Sequence, residues 1–418
     1  MNERNLVNSK ANVFAAEQRI KTVVKRTSLM HHKGLSDKYQ CDIYLKREDE
    51  QDVRSYKIRG AFNKICSLNE QSKCKEVVCA SAGNHAQGVA FSCNYLDIKG
   101  VIFMPLNTPQ QKIQRVKEFG RCHIEIILEG DNYDDCAKAA TIYAAKRELH
   151  YIPPFDDAEI IAGQATVAME ILQDLEDPDY VFIPVGGGGL AAGIGTYFSK
   201  YSPATLLMGV EPAGAASMQA AFSKGYPVEL EKINPFIDGA SVRKVGDLNF
   251  AICKDTLHKI VSVAEGKVCS TLLQLYNRDG IVTEPAGAMS IAALDDFGQL
   301  IKNKTVVCIV SGGNNDSNRM EEIKKLANEW EGLQHFMIIR FYHRPDGLSQ
   351  FFTEVLGRNN YVTRIEYDRR DHGQSTYALM GIRSNSHTDF LELSDKLRHY
   401  EIEHRYVTKE DFLFKYWV

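Results

Sequence analysis

Two periods of apolar residues run through this chain. Val13, Ala16, Ile20 and Val23-Val24 recur at helical spacing, and Arg26-Thr27-Ser28-Leu29 closes that pattern. Short apolar runs then appear at intervals, as buried strands do: Ile43-Tyr44-Leu45, Val77-Val78-Cys79-Ala80, Gly100 to Met104, Ile124 to Leu128, Tyr180 to Val185 and Val306 to Val310. Helical patterns separate them, including Ile58, Phe62 and Ile65 on one face and an Ala-rich stretch from Ala137 to Ala145. This alternation predicts βαβ units on parallel sheets. In such sheets ligands collect at the carboxyl ends of strands, where turns into helices expose N–H groups.

Past Arg319 the organisation changes. Met320, Ile323, Leu326 and Trp330 follow helical spacing. Strands are then expected at Phe336 to Phe341, Val362 to Tyr367, Tyr377 to Ile382 and Ile402 to Val407, with helices at Leu348 to Leu356 and Phe390 to Leu397. The order is βαββαβ, with a turn at Arg344-Pro345-Asp346-Gly347. The expected division is therefore 1–330, with a smaller subdomain at roughly 50–155, followed by a second domain at 335–418.

A length of 418 residues suits two or three domains. Hydrophobic content of 44% and charged content of 25% are those of a soluble globular protein. A net charge of −4 gives no reason to expect nucleic acid or an anionic membrane surface as a partner. The first residues, Met1-Asn2-Glu3-Arg4-Asn5, lack the apolar core of a signal peptide, and no apolar run spans a bilayer, so a cytoplasmic location is expected. Ten cysteines without a Cys-x-x-Cys step argue against a zinc site or a disulfide framework.

The chemistry concentrates at three small, polar turns and one lysine. Lys57, in Ser55-Tyr56-Lys57-Ile58-Arg59-Gly60-Ala61, opens a helical pattern, where the helix dipole opposes an ammonium charge and favours a neutral, nucleophilic amine. The first turn, Ser81-Ala82-Gly83-Asn84-His85, allows close backbone approach to a ligand, although Ser and Asn also serve as helix caps. The second, Gly186-Gly187-Gly188-Gly189-Leu190, exposes consecutive N–H groups at a helix start, an anion cradle suited to phosphate. The run Gly187 to Ala192 also fits a dinucleotide fingerprint, with Glu211 near the distance of a ribose partner. The third turn is Ser311-Gly312-Gly313-Asn314-Asn315-Asp316. A dinucleotide enzyme has no evident need for that turn or for Lys57. A pyridine aldehyde carrying one phosphate needs all four features, which favours pyridoxal phosphate.

These four motifs, in this order over residues 10 to 330, resemble those of the threonine/serine dehydratases, pyridoxal-phosphate enzymes related to the tryptophan synthase β subunit. The resemblance implies a two-subdomain fold type II architecture of parallel sheets with flanking helices. It implies that Lys57 carries the cofactor as a Schiff base, that Asn84 meets the ring 3-hydroxyl and that Gly186 to Leu190 hold the phosphate. Ser311 would face the pyridine nitrogen, and Ser81, Gly83, Asn84 and the backbone near His85 would receive the substrate carboxylate. Thr283-Glu284-Pro285-Ala286-Gly287 also matches a segment of the family, with no role assigned to Glu284. A hydroxyl at the ring nitrogen is a weak partner that suits β-elimination over transamination. The freed Lys57 amine is the natural base for the Cα proton. The acid for the leaving hydroxyl has two candidates, the cofactor phosphate and Lys57 itself.

Racemases of this branch carry a second serine where this chain has Ala82, whose methyl group takes no proton. Their divalent metal site looks incomplete here: Glu211 matches one ligand, but Ser217 stands where an acid is expected, so no metal is assigned, and a weaker or monovalent cation near Glu211 stays an open alternative. The tail resembles one ACT-like, ferredoxin-like α+β regulatory unit of biosynthetic threonine dehydratases. The implied function is deamination of L-threonine to 2-oxobutanoate and ammonia, the first step of isoleucine synthesis, by a homotetramer inhibited by isoleucine, with L-serine as a secondary substrate.

Overall fold

The computed structural model describes residues 10–72, 74–342, 347–367, 375–407 and 411. Its strands are β1 (Leu29–His31), β2 (Asp42–Arg47), β3 (Glu76–Ala80), β4 (Lys99–Met104), β5 (Ile124–Leu128), β6 (His150–Tyr151) and β7 (Tyr180–Pro184). They continue as β8 (Leu206–Pro212), β9 (Lys259–Val263), β10 (Thr305–Val310), β11 (Gln334–Tyr342), β12 (Asn360–Tyr367), β13 (Ser375–Ser384) and β14 (His404–Tyr406). The chain divides into two compact units, one up to Ser317 and one from Asn318 onward.

The first unit holds two sheets. The larger runs β1-β2-β10-β7-β8-β9, parallel from β2 to β9, with β1 added antiparallel at one edge. Its middle is apolar on both faces, as a helix-covered parallel sheet requires, and Val306 to Val310 are fully buried. The smaller sheet, β5-β4-β3-β6, is parallel throughout. Four strands that precede chemistry (β2, β3, β7 and β10) lead from their carboxyl ends into the lysine segment and the three small turns.

One turn departs from expectation. The segment after β10 does not enter a helix directly. Gly312 instead bridges Ser55 in antiparallel fashion, Gly313 N–H donates to the Arg54 carbonyl at 2.8 Å, and Asn314 Nδ2 donates to the Val53 carbonyl at 2.8 Å. Pairing with residues 53–55 holds this stretch extended, and a 3₁₀ turn begins only at Ser317.

The second unit contains the helix Met320–Trp330 and an antiparallel sheet, β12-β13-β11-β14, in βαββαβ chain order. Met337, Ile339, Ala378, Met380 and Ile382 alternate onto one face and pack with Phe351, Val355, Leu393 and Leu397 from the helical segments. The expected helix at Leu348 to Leu356 is a short α-turn followed by a π-turn, Phe351–Val355, and the last strand shortens to three residues. The expected turn at residues 344–346 lies outside the described residues. Among the described residues no helix is long and apolar enough to cross a membrane.

Candidate active site

Lys57 opens the helix Lys57–Ser72. Ile58, Phe62 and Ile65 are buried on one side, as their spacing predicts. The helix crosses Ala158–Asp174 at close range: a Cβ on Gly163 would stand 2.6 Å from the Arg59 carbonyl oxygen. Arg59 is fully buried and donates to Glu48 at 2.8 Å and to Glu170 at 2.7 Å, with Lys46 also paired to Glu170. The first turn of the helix is thus anchored from below, and Lys57 is left above it. Its Nζ donates to the Pro154 carbonyl at 2.8 Å. Burial pushes the amine down to about 8, against the opposing influence of the Glu284 carboxylate. The direction agrees with the helix-dipole argument, but loss of solvation is the leading cause.

At the first turn the helix Asn84–Leu96 is capped by Gly83 with no side-chain cap bond. Ser81 Oγ accepts from Gly83 N–H at 3.1 Å. The Asn84 carboxamide points elsewhere: Nδ2 donates to Glu284 Oε1 at 2.6 Å, and Oδ1 accepts from Asn314 Nδ2 at 2.8 Å. His85 Nε2 lies 2.9 Å from the Ile152 carbonyl, which only accepts, so this nitrogen carries the proton. Burial, aided by the Lys57 charge, pushes His85 down to about 3, leaving a neutral ring.

The glycine turn enters the helix Gly189–Tyr201 through Gly188, whose φ of 92° suits glycine. A Cβ on Gly187 would meet the Phe155 ring at 2.3 Å. The loop is fixed from beneath, where Asn249 Nδ2 and Gly246 N–H donate to the Gly187 carbonyl at 2.8 and 3.2 Å. Among the described residues none accepts a hydrogen bond from the N–H groups of Gly186 to Leu190. Unspent donors at a helix start form a site for an anion.

All of these groups line one cavity of about 270 Å³: Lys57, Ser81, Gly83, Asn84, His85, Gly186 to Leu190 and Ser311. Ala82 is there as well. Several lining residues went unread in the sequence, among them Phe155, Tyr133, Lys112 with its ion-pair partner Asp238, and Glu284 as a cavity acid. The run Pro153-Pro154-Phe155-Asp156-Asp157 did offer a signal, since prolines followed by aspartates mark a turn into a helix. Asp156 caps the helix Asp247–Thr256 by accepting three of its N–H groups, and Asp157 caps Ala158–Asp174.

Glu211 is not among these residues. Its carboxylate is buried and accepts from Met218 and Gln219 N–H at 2.7 and 2.8 Å, at the start of the helix Ser217–Lys224. Burial pushes it up to about 8. A group spent in this way does not serve a ribose hydroxyl, and the dinucleotide alternative loses its acidic partner.

The cavity fits a phosphorylated pyridine aldehyde: an amine held partly neutral, an anion cradle with free donors, and polar side chains between them. Residues 20–312 match the family profile of pyridoxal-phosphate dependent enzymes, and residues 326–417 match the C-terminal regulatory domain of threonine dehydratase. The chain is 49% identical over 403 residues to the L-threonine dehydratase biosynthetic IlvA of Halalkalibacterium halodurans, covering 96% of this chain and 97% of that protein. It is 46% identical over 415 residues to the protein of the same name from Bacillus subtilis, covering 99% and 98%. Among solved structures, the processed form of threonine deaminase isoform 2 from Solanum lycopersicum superposes with a TM-score of 0.71 at 38% identity, covering 76% of this chain and 94% of that one. The cavity is lined by the first matched region and by Asn314 just beyond it, the βαββαβ unit lies within the second, and the chain belongs to the biosynthetic threonine dehydratases, pyridoxal-phosphate-dependent lyases with a C-terminal regulatory domain.

Proposed function

We propose that this chain deaminates L-threonine to 2-oxobutanoate and ammonia, opening isoleucine synthesis in the cytoplasm, with L-serine as a secondary substrate. It acts as a homotetramer, and isoleucine binding to the second unit inhibits it. The observation that carries this reading is the convergence of Lys57, Asn84, the Gly186 to Leu190 turn and Ser311 on one cavity.

Lys57 would hold the cofactor, with Asn84 at the ring hydroxyl, Ser311 at the ring nitrogen and the glycine turn at the phosphate. When bound, pyridoxal phosphate withdraws electrons from the substrate Cα and makes its proton acidic. The residues of the chain do the rest. The Lys57 amine, which burial holds below the ordinary lysine range, would take up the Cα proton. The N–H groups of the glycine turn bind the phosphate and fix where that carbon stands relative to Lys57. Ser81, Gly83, Asn84 and the backbone at His85 receive the substrate carboxylate. The neutral His85 ring adds no competing charge beside it. Ala82 lines the cavity at the position where racemases of this branch carry a second serine, and its methyl group can return no proton.

The test is the visible absorbance of purified protein combined with a 2-oxobutanoate assay. A band lost on borohydride reduction, with a covalent adduct mapped to Lys57 and threonine-dependent 2-oxobutanoate release, is the expected result. A colourless protein that binds NAD would overturn the reading.

A further inference from the structure

Glu284 occupies the N-cap position of the helix Pro285–Ala292, where an acidic side chain ordinarily accepts the first helical N–H groups. It makes no such bond. Its carboxylate lines the cavity instead, where Oε1 accepts from Asn84 Nδ2 at 2.6 Å and the Asn314 backbone N–H supports the same group. The surroundings are shaped to it. A Cβ on Gly312 would stand 2.6 Å from Oε1, and one on Gly239 would stand 3.3 Å away. Its backbone is pinned as well: Glu284 N–H and Thr283 Oγ1 both donate to the Gly312 carbonyl, at 3.1 and 2.8 Å.

The other end of the Asn84 amide is also taken. Oδ1 accepts from Asn314 Nδ2 at 2.8 Å, and that nitrogen donates to the Val53 carbonyl at 2.8 Å. A carboxamide offers two N–H donors and one oxygen. Glu284 uses one donor and Asn314 uses the oxygen. Flipping the amide would set oxygen against the Glu284 carboxylate and NH₂ against NH₂. The orientation is therefore fixed, with one N–H of Asn84 left over.

We propose that Glu284 is a positioning residue: by accepting from Asn84 it fixes the carboxamide so that the remaining N–H faces the 3-hydroxyl oxygen of pyridoxal phosphate. The inference rests on the assignment of Asn84 to that oxygen made above. An N–H aimed there favours the ionised ring oxygen, which shows in the absorbance of the bound cofactor as well as in its affinity.

The experiment uses the full-length protein and pyridoxal phosphate itself. Its dissociation constant and absorbance maximum are measured for wild type, Glu284→Met, Glu284→Gln, Asn84→Ala and the Glu284→Met/Asn84→Ala double variant, with circular dichroism as a check on folding. Methionine keeps volume without the acceptor, whereas glutamine keeps an acceptor oxygen. Glu284→Met and Asn84→Ala should each weaken binding about tenfold and shift the band, the scale of one lost hydrogen bond to a charged group. The double variant should be no worse than Asn84→Ala, because the effect of Glu284 passes through that side chain. Glu284→Gln should restore both readouts to near wild type. Multiplying losses in the double variant, or a silent Glu284→Met, would overturn the inference while leaving Asn84 in place. A silent Asn84→Ala would overturn the assignment of Asn84 and the inference with it. If Glu284→Met does not fold, a folded Glu284→Gln that fails to retain the band overturns the inference, and one that retains it while Asn84→Ala shifts it supports it.

Discussion

Lys57 Nζ donates to the Pro154 carbonyl across 2.8 Å, and that bond joins the amine to the segment that also supports the glycine turn. Phe155 packs where side chains on Gly187 and Gly189 would stand, and Asp156 caps the helix that carries Asn249 beneath the same turn. Asp157 begins the helix that crosses the Lys57 helix and pairs with Lys64 at 2.7 Å. Four consecutive residues thus set the spacing between the amine and the anion cradle. A single phosphorylated ligand bonded at one end and cradled at the other requires that spacing to hold.

Replacing Lys57 by alanine should keep the fold, since the helix is anchored by Arg59 and the Gly163 crossing and not by the amine. Turnover should fall by at least the ~10²–10⁴-fold typical of a lost general base. A 2-oxobutanoate assay on folded variant protein checks this. Activity above a trace would remove Lys57 from its role.

The lowered Lys57 sets a pH dependence. Protein freed of cofactor should take up pyridoxal phosphate faster as pH rises through about 8, where the amine loses its proton, and then level off. A lysine near its ordinary 10.5 would show a rate still climbing at pH 9 to 10. The sign for stability follows from the same shift. Between about 8 and 10.5 the unfolded chain holds the proton and the folded chain does not, so the cofactor-free fold gains stability across that window as pH rises. Stopped-flow absorbance and denaturant titrations at stepped pH measure the two effects.

The strands, the face of the Lys57 helix and the three small turns were legible because each depends on local periodicity or on short-range turn chemistry. Ile58, Phe62 and Ile65 are buried together because they lie three or four apart, whatever they pack against. Features that depend on distant partners were not legible. Nothing local marks Lys46 and Glu48, in the charged run at the end of β2, as interior residues, yet both are fully buried, because Glu170 and Arg59 meet them from 124 and 11 residues away. The extended course of Gly312 and Gly313 needs residues 53–55, and β1 needs β2 to pair with it. Glu284 was visible as a residue, but its partner Asn84 lies 200 positions away.

That buried ion cluster yields a prediction of its own. Arg59→Ala would leave Glu48 without its ion-pair partner in a dry interior and Glu170 with Lys46 alone, and breaking a buried pair from one side costs about 3–5 kcal/mol. Arg59→Ala should therefore lower the stability of the first unit by that amount in a denaturant titration. A loss below about 1 kcal/mol, the scale of an exposed pair, would show that the cluster is better solvated than its burial indicates.

Reaction choice is expected to turn on Ala82. Wild-type protein incubated with L-serine or L-threonine should release no D-amino acid beyond background while elimination proceeds, because a methyl group on that side of the cavity cannot return a proton. Chiral chromatography decides it. Racemisation on the scale of elimination would require a second base among the other lining residues.

The last prediction concerns the second unit as a sensor separable from catalysis. Every cavity residue lies at or before Asn314, in the first compact unit, and the antiparallel sheet has its own core of Met337, Ile339, Met380 and Leu397. An effector bound there acts only by favouring one of two states of the protein over the other. Coupling of that kind is typically about 1–3 kcal/mol, or roughly 5- to 150-fold in affinity, and it is reciprocal. Isoleucine should weaken threonine binding, and threonine should weaken isoleucine binding by the same factor. A chain stopped after Trp330 keeps the whole cavity, so it should deaminate threonine and ignore isoleucine. Steady-state kinetics with and without isoleucine, on soluble truncated protein beside the full chain, measure both. Undiminished inhibition of the truncated protein would place the effector site in the first unit, because an effector that still acts without the second unit cannot be binding there.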